Sequence, residues 1–214
     1  MIRAVIFDMD GLLMDSEGVG LTVLHDCALR QGIDIPLDMI RQTLGSSADS
    51  ITAFYLQFYP NLDAPRLFRD FREAMHDLAR QGKIPLKKGA KELLAVLREK
   101  NIPCAVASSS HPNSIRIYLE NAGVLDAFAA LVSCGEGIAS KPAPDIFLKA
   151  AEALGAAPKD CLVLEDSVNG VKAGRAAGMT VYMVPDMIPY TEALAPYCDA
   201  VLPDLLAVIP RIAP

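Results

Sequence analysis

No CxxC pair occurs among the five cysteines, Cys27, Cys104, Cys134, Cys161 and Cys198, and their number is odd. Scattered, unmatched thiols predict a reduced state and a cytoplasmic location, with Cys104 and Cys161 packed inside apolar runs. No apolar run is long enough to span a bilayer. The opening run is too short for a secretory signal and leads straight into Asp8. Positive charge is not in surplus either. The formal net charge of -6 excludes nucleic acid or an anionic membrane surface as the main partner, although one pocket can still be locally positive. There is no internal repeat and no low-complexity tract.

What is present is enough apolar sequence for a sizeable core. The 214 residues are 52% hydrophobic and 21% charged, which suits one large domain or one domain with a smaller insertion. The chain is organised around its start. Ile2, Ala4, Val5, Ile6 and Phe7 form a short apolar run with β-branched residues, the composition of a strand buried on both faces of a parallel sheet. The run stops at Asp8-Met9-Asp10-Gly11.

From Ser16 to about Gly82 the apolar spacing is helical. Leu21, Leu24, Ala28 and Leu29 mark one helix ending near Gly32. A short helix is predicted from Pro36 to Leu44, a third carries Ile51, Phe54, Tyr55 and Phe58, and a longer one carries Leu67, Phe68, Phe71, Met75 and Leu78. Four helices without an intervening strand describe a small bundle, and its aromatic stripe reads as core.

After Gly82 strands and helices alternate. Strands are predicted at Ile102–Ala107, Ala130–Val132, Cys161–Leu164, Met179–Val184 and Ala200–Leu202. Helices lie between them, one of them capped by Ser167, and a last one follows at the C-terminus. Alternation of this kind implies an α/β fold, a parallel sheet with helices on both faces. Residues 1–15 and 83–214 are expected to form the core, with 16–82 as an inserted four-helix cap.

Polar residues then fall at the same place in several units. Asp8 and Asp10, Ser108 and Ser109, and Glu165 and Asp166 each follow an apolar strand, and Lys141 lies in a loop before a helix. Taken singly, each has an ordinary explanation as a turn, a cap or a solvated side chain. In a parallel sheet they share one edge, where open α/β sheets bind ligands. Phosphoryl transfer is the chemistry that uses this set. Asp8 can attack phosphorus to give an aspartyl phosphate. The approach of two anions calls for a divalent cation, and Mg²⁺ takes oxygen ligands such as Asp8 and Asp166, with Glu165 an additional or outer ligand. Ser108 and Lys141 would hold phosphate oxygens, and Asp10 would serve as general acid and base.

The segments Phe7-Asp8-Met9-Asp10-Gly11, Val106-Ala107-Ser108, Ser140-Lys141-Pro142 and Leu164-Glu165-Asp166-Ser167 resemble, in order, the four motifs of the haloacid dehalogenase (HAD) superfamily. Gly170 to Gly178 resembles the stretch that follows. The helical insert is similar to that of the subgroup containing β-phosphoglucomutase and many sugar-phosphate phosphatases. The resemblance implies a Rossmann-like core, a helical cap closing over the site, and Mg²⁺ dependence with the roles given above. It also implies phosphate contacts from the Met9 backbone and from Ser109 beside Ser108, and a metal contact from the carbonyl of Asp10.

Within the superfamily, dehalogenases lack an acid equivalent to Asp10, which favours phosphate chemistry here. The mutases resemble this chain around Ser140 to Phe147 but carry a His where it has Gly20 and an Arg where it has Ala48. Hydrolysis of a small phosphomonoester, a sugar phosphate foremost, is therefore the expected activity. A phosphosugar mutase is the alternative, and a phospho-aspartate signalling domain a more distant one. Glu17, Ser46 and Ser47 are the candidates for reading the ester from the cap. His25 and His76 are expected to be structural or exposed, with His111 nearer the site. The particular ester and the oligomeric state stay open at this level.

Overall fold

A computed structural model describes residues 2–44, 46, 48–134 and 137–212. Six strands form one parallel sheet: β1 (Ala4–Phe7), β2 (Cys104–Ser108), β3 (Ala130–Ser133), β4 (Cys161–Glu165), β5 (Thr180–Met183) and β6 (Ala200–Val201). Their order across the sheet is β3-β2-β1-β4-β5-β6. β1 is thus central, flanked by β2 and β4, and the chain reverses direction of growth there. That reversal opens the crevice in which doubly wound sheets take their ligands. The structure has the expected Rossmann-like α/β architecture.

The strands are apolar because both faces are covered. Val5 and Phe7 join Val106, Leu162 and Leu164 in one core beneath α5 (Ala90–Glu99) and α6 (Pro112–Asn121). Ala4 and Ile6 point the other way, with Ala105, Val163 and Val181, towards α7 (Asp145–Ala153) and α8 (Val168–Ala176). Burying a side chain such as Ile6 or Phe7 contributes roughly 1.5–3 kcal/mol. Cys104 and Cys161 are buried here as free thiols.

Between β1 and α5 the chain inserts α1 (Ser16–Leu29), α2 (Leu37–Arg41), α3 (Ala48–Phe58) and α4 (Ala64–Arg80). These helices build a third core from Leu21, Leu24, Cys27, Ile35, Ile40, Tyr55, Leu62 and Leu67. The expected aromatic stripe divides. Tyr55 is fully buried, its hydroxyl 3.0 Å from Thr43 Oγ1, whereas Phe58 is 54% exposed. α2 is also shorter than its sequence suggests, since turns replace the helix from Gln42. At the C-terminus the expected helix is a 3₁₀ turn, Leu205–Val208, running into the four-residue α9 (Ile209–Ile212).

Candidate active site

β1 ends one residue before Asp8, whose N–H continues the ladder by donating to the carbonyl of Leu164 on β4 at 3.0 Å. Ser108 closes β2 and Glu165 closes β4, so the parallel register carries all three to one edge. Lys141 arrives from the loop before α7. Its Nζ donates to Asp8 Oδ1 at 2.5 Å, to Glu165 Oε1 at 2.6 Å and to the carbonyl of Ala107 at 3.1 Å. Burial works against the charge of Lys141, but Asp8 and Glu165 outweigh it and raise its pKa above the usual range.

Glu165 is fully buried and has both oxygens engaged. Besides Lys141, it accepts from the backbone N–H of Asp166 and of Ser167, and from Ser167 Oγ, at 2.9–3.0 Å. It acts as a strut that fixes Lys141 and the start of α8. Ser167 in turn caps α8 by accepting from Gly170 N at 3.0 Å.

Asp10 stands apart from this charged group. Ser16 Oγ donates to its Oδ1 at 2.7 Å, and its Oδ2 accepts from Ser110 Oγ at 2.7 Å and from Ser108 Oγ at 3.3 Å. Met9 is wholly buried and its carbonyl is taken by the N–H groups of Leu13 and Met14. Any contact from its backbone to a phosphate would therefore be a donation by N–H.

Asp8, Glu165 and Asp166 each offer an oxygen within 4.8 Å of the others, and Glu17, Asp166 and Asp186 do the same. Burial, reinforced by Glu165 and Asp10 against the opposing pull of Lys141, pushes Asp8 up to about 8. Asp166 is likewise raised, by burial first and then by Glu165 and Asp8. One ammonium is too little positive charge for three buried carboxylates. An all-oxygen donor set in which burial and like charge disfavour the ionised forms of Asp8 and Asp166 fits a hard divalent cation.

A cavity of about 510 Å³ is bordered by Asp8, Asp10, Ser108, Lys141 and Asp166, and from the inserted segment by Glu17 of α1 and by Leu44 and Ser46. Ser109 also borders it, but its Oγ turns to Cys134 Sγ at 3.7 Å, and Ser110 is the neighbour that reaches Asp10. Ser47 lies outside the described residues. His25 bonds the carbonyl of Ile35 at 2.8 Å, in line with a structural role. His76 Nε2 meets Ser114 Oγ at 2.6 Å, a bond between α4 and α6 that also suits a structural role, and it lines a second cavity together with His111.

Sequence reasoning passed over Ser16, Ser110, Lys87 and Asp186. Asp186 follows β5 as Glu165 and Asp166 close β4, a positional signal that was available, and it pairs with Lys87 at 2.5 Å. Ser110 carried no such signal, because which of three consecutive serines turns inward is decided by the turn after β2.

The family model described as haloacid dehalogenase-like hydrolase matches residues 2–178, and the chain belongs to that family. Hexitol phosphatase B of Escherichia coli (strain K12) is 34% identical over 188 residues, covering 86% of this chain and 84% of the relative. Beta-phosphoglucomutase of Bacillus subtilis (strain 168) is 33% identical over 190 residues, covering 83% and 81%. Among solved structures, a HAD family hydrolase from Deinococcus radiodurans R1, with bound phosphate and sodium, superposes with a TM-score of 0.76. It is 28% identical, over 97% of this chain and 93% of that one. No helix among the described residues is long and apolar enough to cross a membrane.

Proposed function

We propose that this protein is a phosphatase that hydrolyses a small phosphomonoester through an aspartyl phosphate on Asp8, with Mg²⁺ as cofactor. The observation that carries the reading is the pairing of two carboxyls in opposite settings on one cavity. Asp8 lies against an ammonium, and Asp10, two residues on, is held by three serine hydroxyls. Two neighbouring carboxyls with different surroundings are what a nucleophile and a separate acid–base group require.

In the first step an Asp8 oxygen attacks phosphorus, the ester P–O bond breaks, and Asp10 gives its proton to the departing alkoxide. In the second, Asp10 takes a proton from water, whose oxygen attacks phosphorus and breaks the Asp8–phosphate bond. Ser108 Oγ and Lys141 Nζ donate to the phosphoryl oxygens as charge builds on them. Asp8, Asp166 and the carbonyl of Asp10 are the groups that would hold Mg²⁺. The ion, when bound, offsets the repulsion between the carboxylates and the incoming phosphate.

Residues 16–82 act in this reading as a cap over the core formed by 1–15 and 83–214, with Glu17 and Ser46 facing the ester. The hexitol phosphatase among the relatives supports a sugar-phosphate substrate. The mutase relative supports a second reading, which Gly20 counts against. A side chain there would start 3.5 Å from the ring of Phe71 and 3.9 Å from Met75 Cε. The groups nearest that position are apolar, and Gly20 has no side chain of its own to move a proton.

The test is Mg²⁺-dependent release of inorganic phosphate across a panel of small esters, with Asp8→Asn as control. Conversion of β-glucose 1-phosphate to glucose 6-phosphate is followed in the same samples. Release that disappears in the variant supports the proposal, and isomerisation without release would replace it with the mutase.

A further inference from the structure

Next to the catalytic cavity, and sharing Asp10, Glu17, Leu44 and Ser46 with it, lies a second one of about 540 Å³ between the inserted helices and the core. It opens from the general acid, so it is where the alcohol half of an ester bound at Asp8 must extend. Its walls are not those of a polyol site. Leu21 and Leu24 of α1, Ile40 of α2, and Phe68 and Phe71 of α4 line it. Four of the hydroxyls that line it are already bonded within the protein, while Ser46 and the Glu17 carboxyl stand at the edge shared with the catalytic cavity and Tyr118 stands beside His76. Thr43 Oγ1 donates to the carbonyl of Ile40 at 2.7 Å and meets Tyr55, Ser16 and Ser110 hold Asp10, and Ser114 holds His76. Away from the edge shared with the catalytic cavity, polar groups come from Arg72 and His76 of α4 with His111 and Ser114. There the imidazole of His76 stands edge-on to the ring of Tyr118, with centroids 6.4 Å apart.

From this we infer that the substrate is a phosphomonoester whose alcohol carries an aromatic ring, or an apolar body of like size, beyond the carbons next to the ester. The inference rests on the phosphatase reading and refines it. The volume suits a body of that kind, since small-molecule sites of a few hundred Å³ are mainly apolar with a few polar groups for orientation. Rings on Phe68, Phe71 and Tyr118 offer faces and edges for aromatic contact. A bare hexitol phosphate pushed past Glu17 and Ser46 would set hydroxyls against Leu21, Leu24, Phe68 and Phe71, at a cost of about one to two orders of magnitude in affinity for each one left without a partner. A sugar phosphate still fits when the sugar stays beside Glu17 and Ser46 and a ring lies beyond it.

Two matched pairs of esters isolate the ring: uridine 5′-monophosphate against ribose 5-phosphate, and 2-phenylethyl phosphate against glycerol 1-phosphate. The expected result is a kcat/KM about tenfold or more higher for the ring-bearing member of each pair. Phe71→Ala should narrow that ratio severalfold, by lowering kcat/KM more for the ring-bearing member of each pair than for its partner. Calorimetric binding of the same four esters to Asp8→Asn protein keeps the inference separate from turnover. Equal binding within both pairs overturns it, whatever the activity. Tighter binding of the ring-bearing esters with no phosphate released from any ester by the unaltered enzyme leaves this inference standing and overturns the hydrolase reading instead.

Discussion

Lys141 Nζ lies 2.6 Å from Glu165 Oε1, with 7% and 0% of the two side chains exposed. The same ammonium holds Asp8. Removing it would leave two buried carboxylates facing each other, and breaking a buried pair from one side costs about 3–5 kcal/mol. Lys141→Met should therefore lower stability by that order in urea denaturation at neutral pH. Adding Glu165→Gln should recover part of the loss, because the second change removes a charge the first left unpaired. Strictly additive losses would show that the two residues do not share one network.

Asp10 is the group assigned to protonate the departing alcohol, and three hydroxyls orient it. Asp10→Asn keeps the shape and most of these bonds but has no proton to transfer. The rate on alkyl phosphates should fall by about 10²–10⁴-fold. With 4-nitrophenyl phosphate, whose leaving group departs without protonation, the first step should be nearly spared, and a burst of nitrophenol should precede slow turnover. Equal loss of the burst with both kinds of ester would assign Asp10 another role.

The order of elements was legible because buried parallel strands write themselves as apolar runs and helices as 3.6-residue spacing. Val5, Phe7, Leu162 and Leu164 needed nothing else. Asp8, Lys141, Glu165 and Asp166 could be grouped because a parallel sheet brings strand ends together, whatever their separation in sequence. What stayed hidden depends on side-chain direction. Ser110 rather than Ser109 reaches Asp10, and His76 bonds Ser114 across 38 residues. Phe71 and Phe68 belong to the same stripe as Tyr55, yet they line a cavity while Tyr55 fills a core. Spacing places a residue on a face, and only tertiary packing decides whether that face meets another side chain or open space.

Gly170 has no room for even a methyl group. A Cβ built there would run into the carboxyl of Glu165, the strut that fixes Lys141. Gly170→Ala should displace that carboxyl and cost about 1–3 kcal/mol, with most phosphate release lost as well. Gly155→Ala makes the contrast. Nothing lies within 4 Å of its missing Cβ, and its φ of +64° confines the cost to backbone strain of about 1–2 kcal/mol, with catalysis intact. Comparable loss of activity in the two variants would show that the effect at Gly170 is not specific to Glu165.

Glu17 points a carboxyl into the junction of the two cavities, and its Oε2 is buried with no hydrogen-bond partner among the described residues. Burial, then the charges of Asp186 and Asp10, pushes it from 4.5 to about 7. The folded protein thus holds this proton more tightly than the unfolded chain. The stabilising contribution is complete below pH 4.5, declines as pH rises to about 7 and is gone above it. Glu17→Gln cannot ionise, so relative to the parent it should gain stability across that window. A shift of this size corresponds to ~3 kcal/mol at most. Partial exposure reduces the expected gain at pH 8 to about 1–2 kcal/mol, with almost none at pH 4.5. Urea denaturation of both proteins in EDTA at the two pH values measures it. A difference independent of pH would mean that Glu17 ionises in the folded protein as freely as in the unfolded chain.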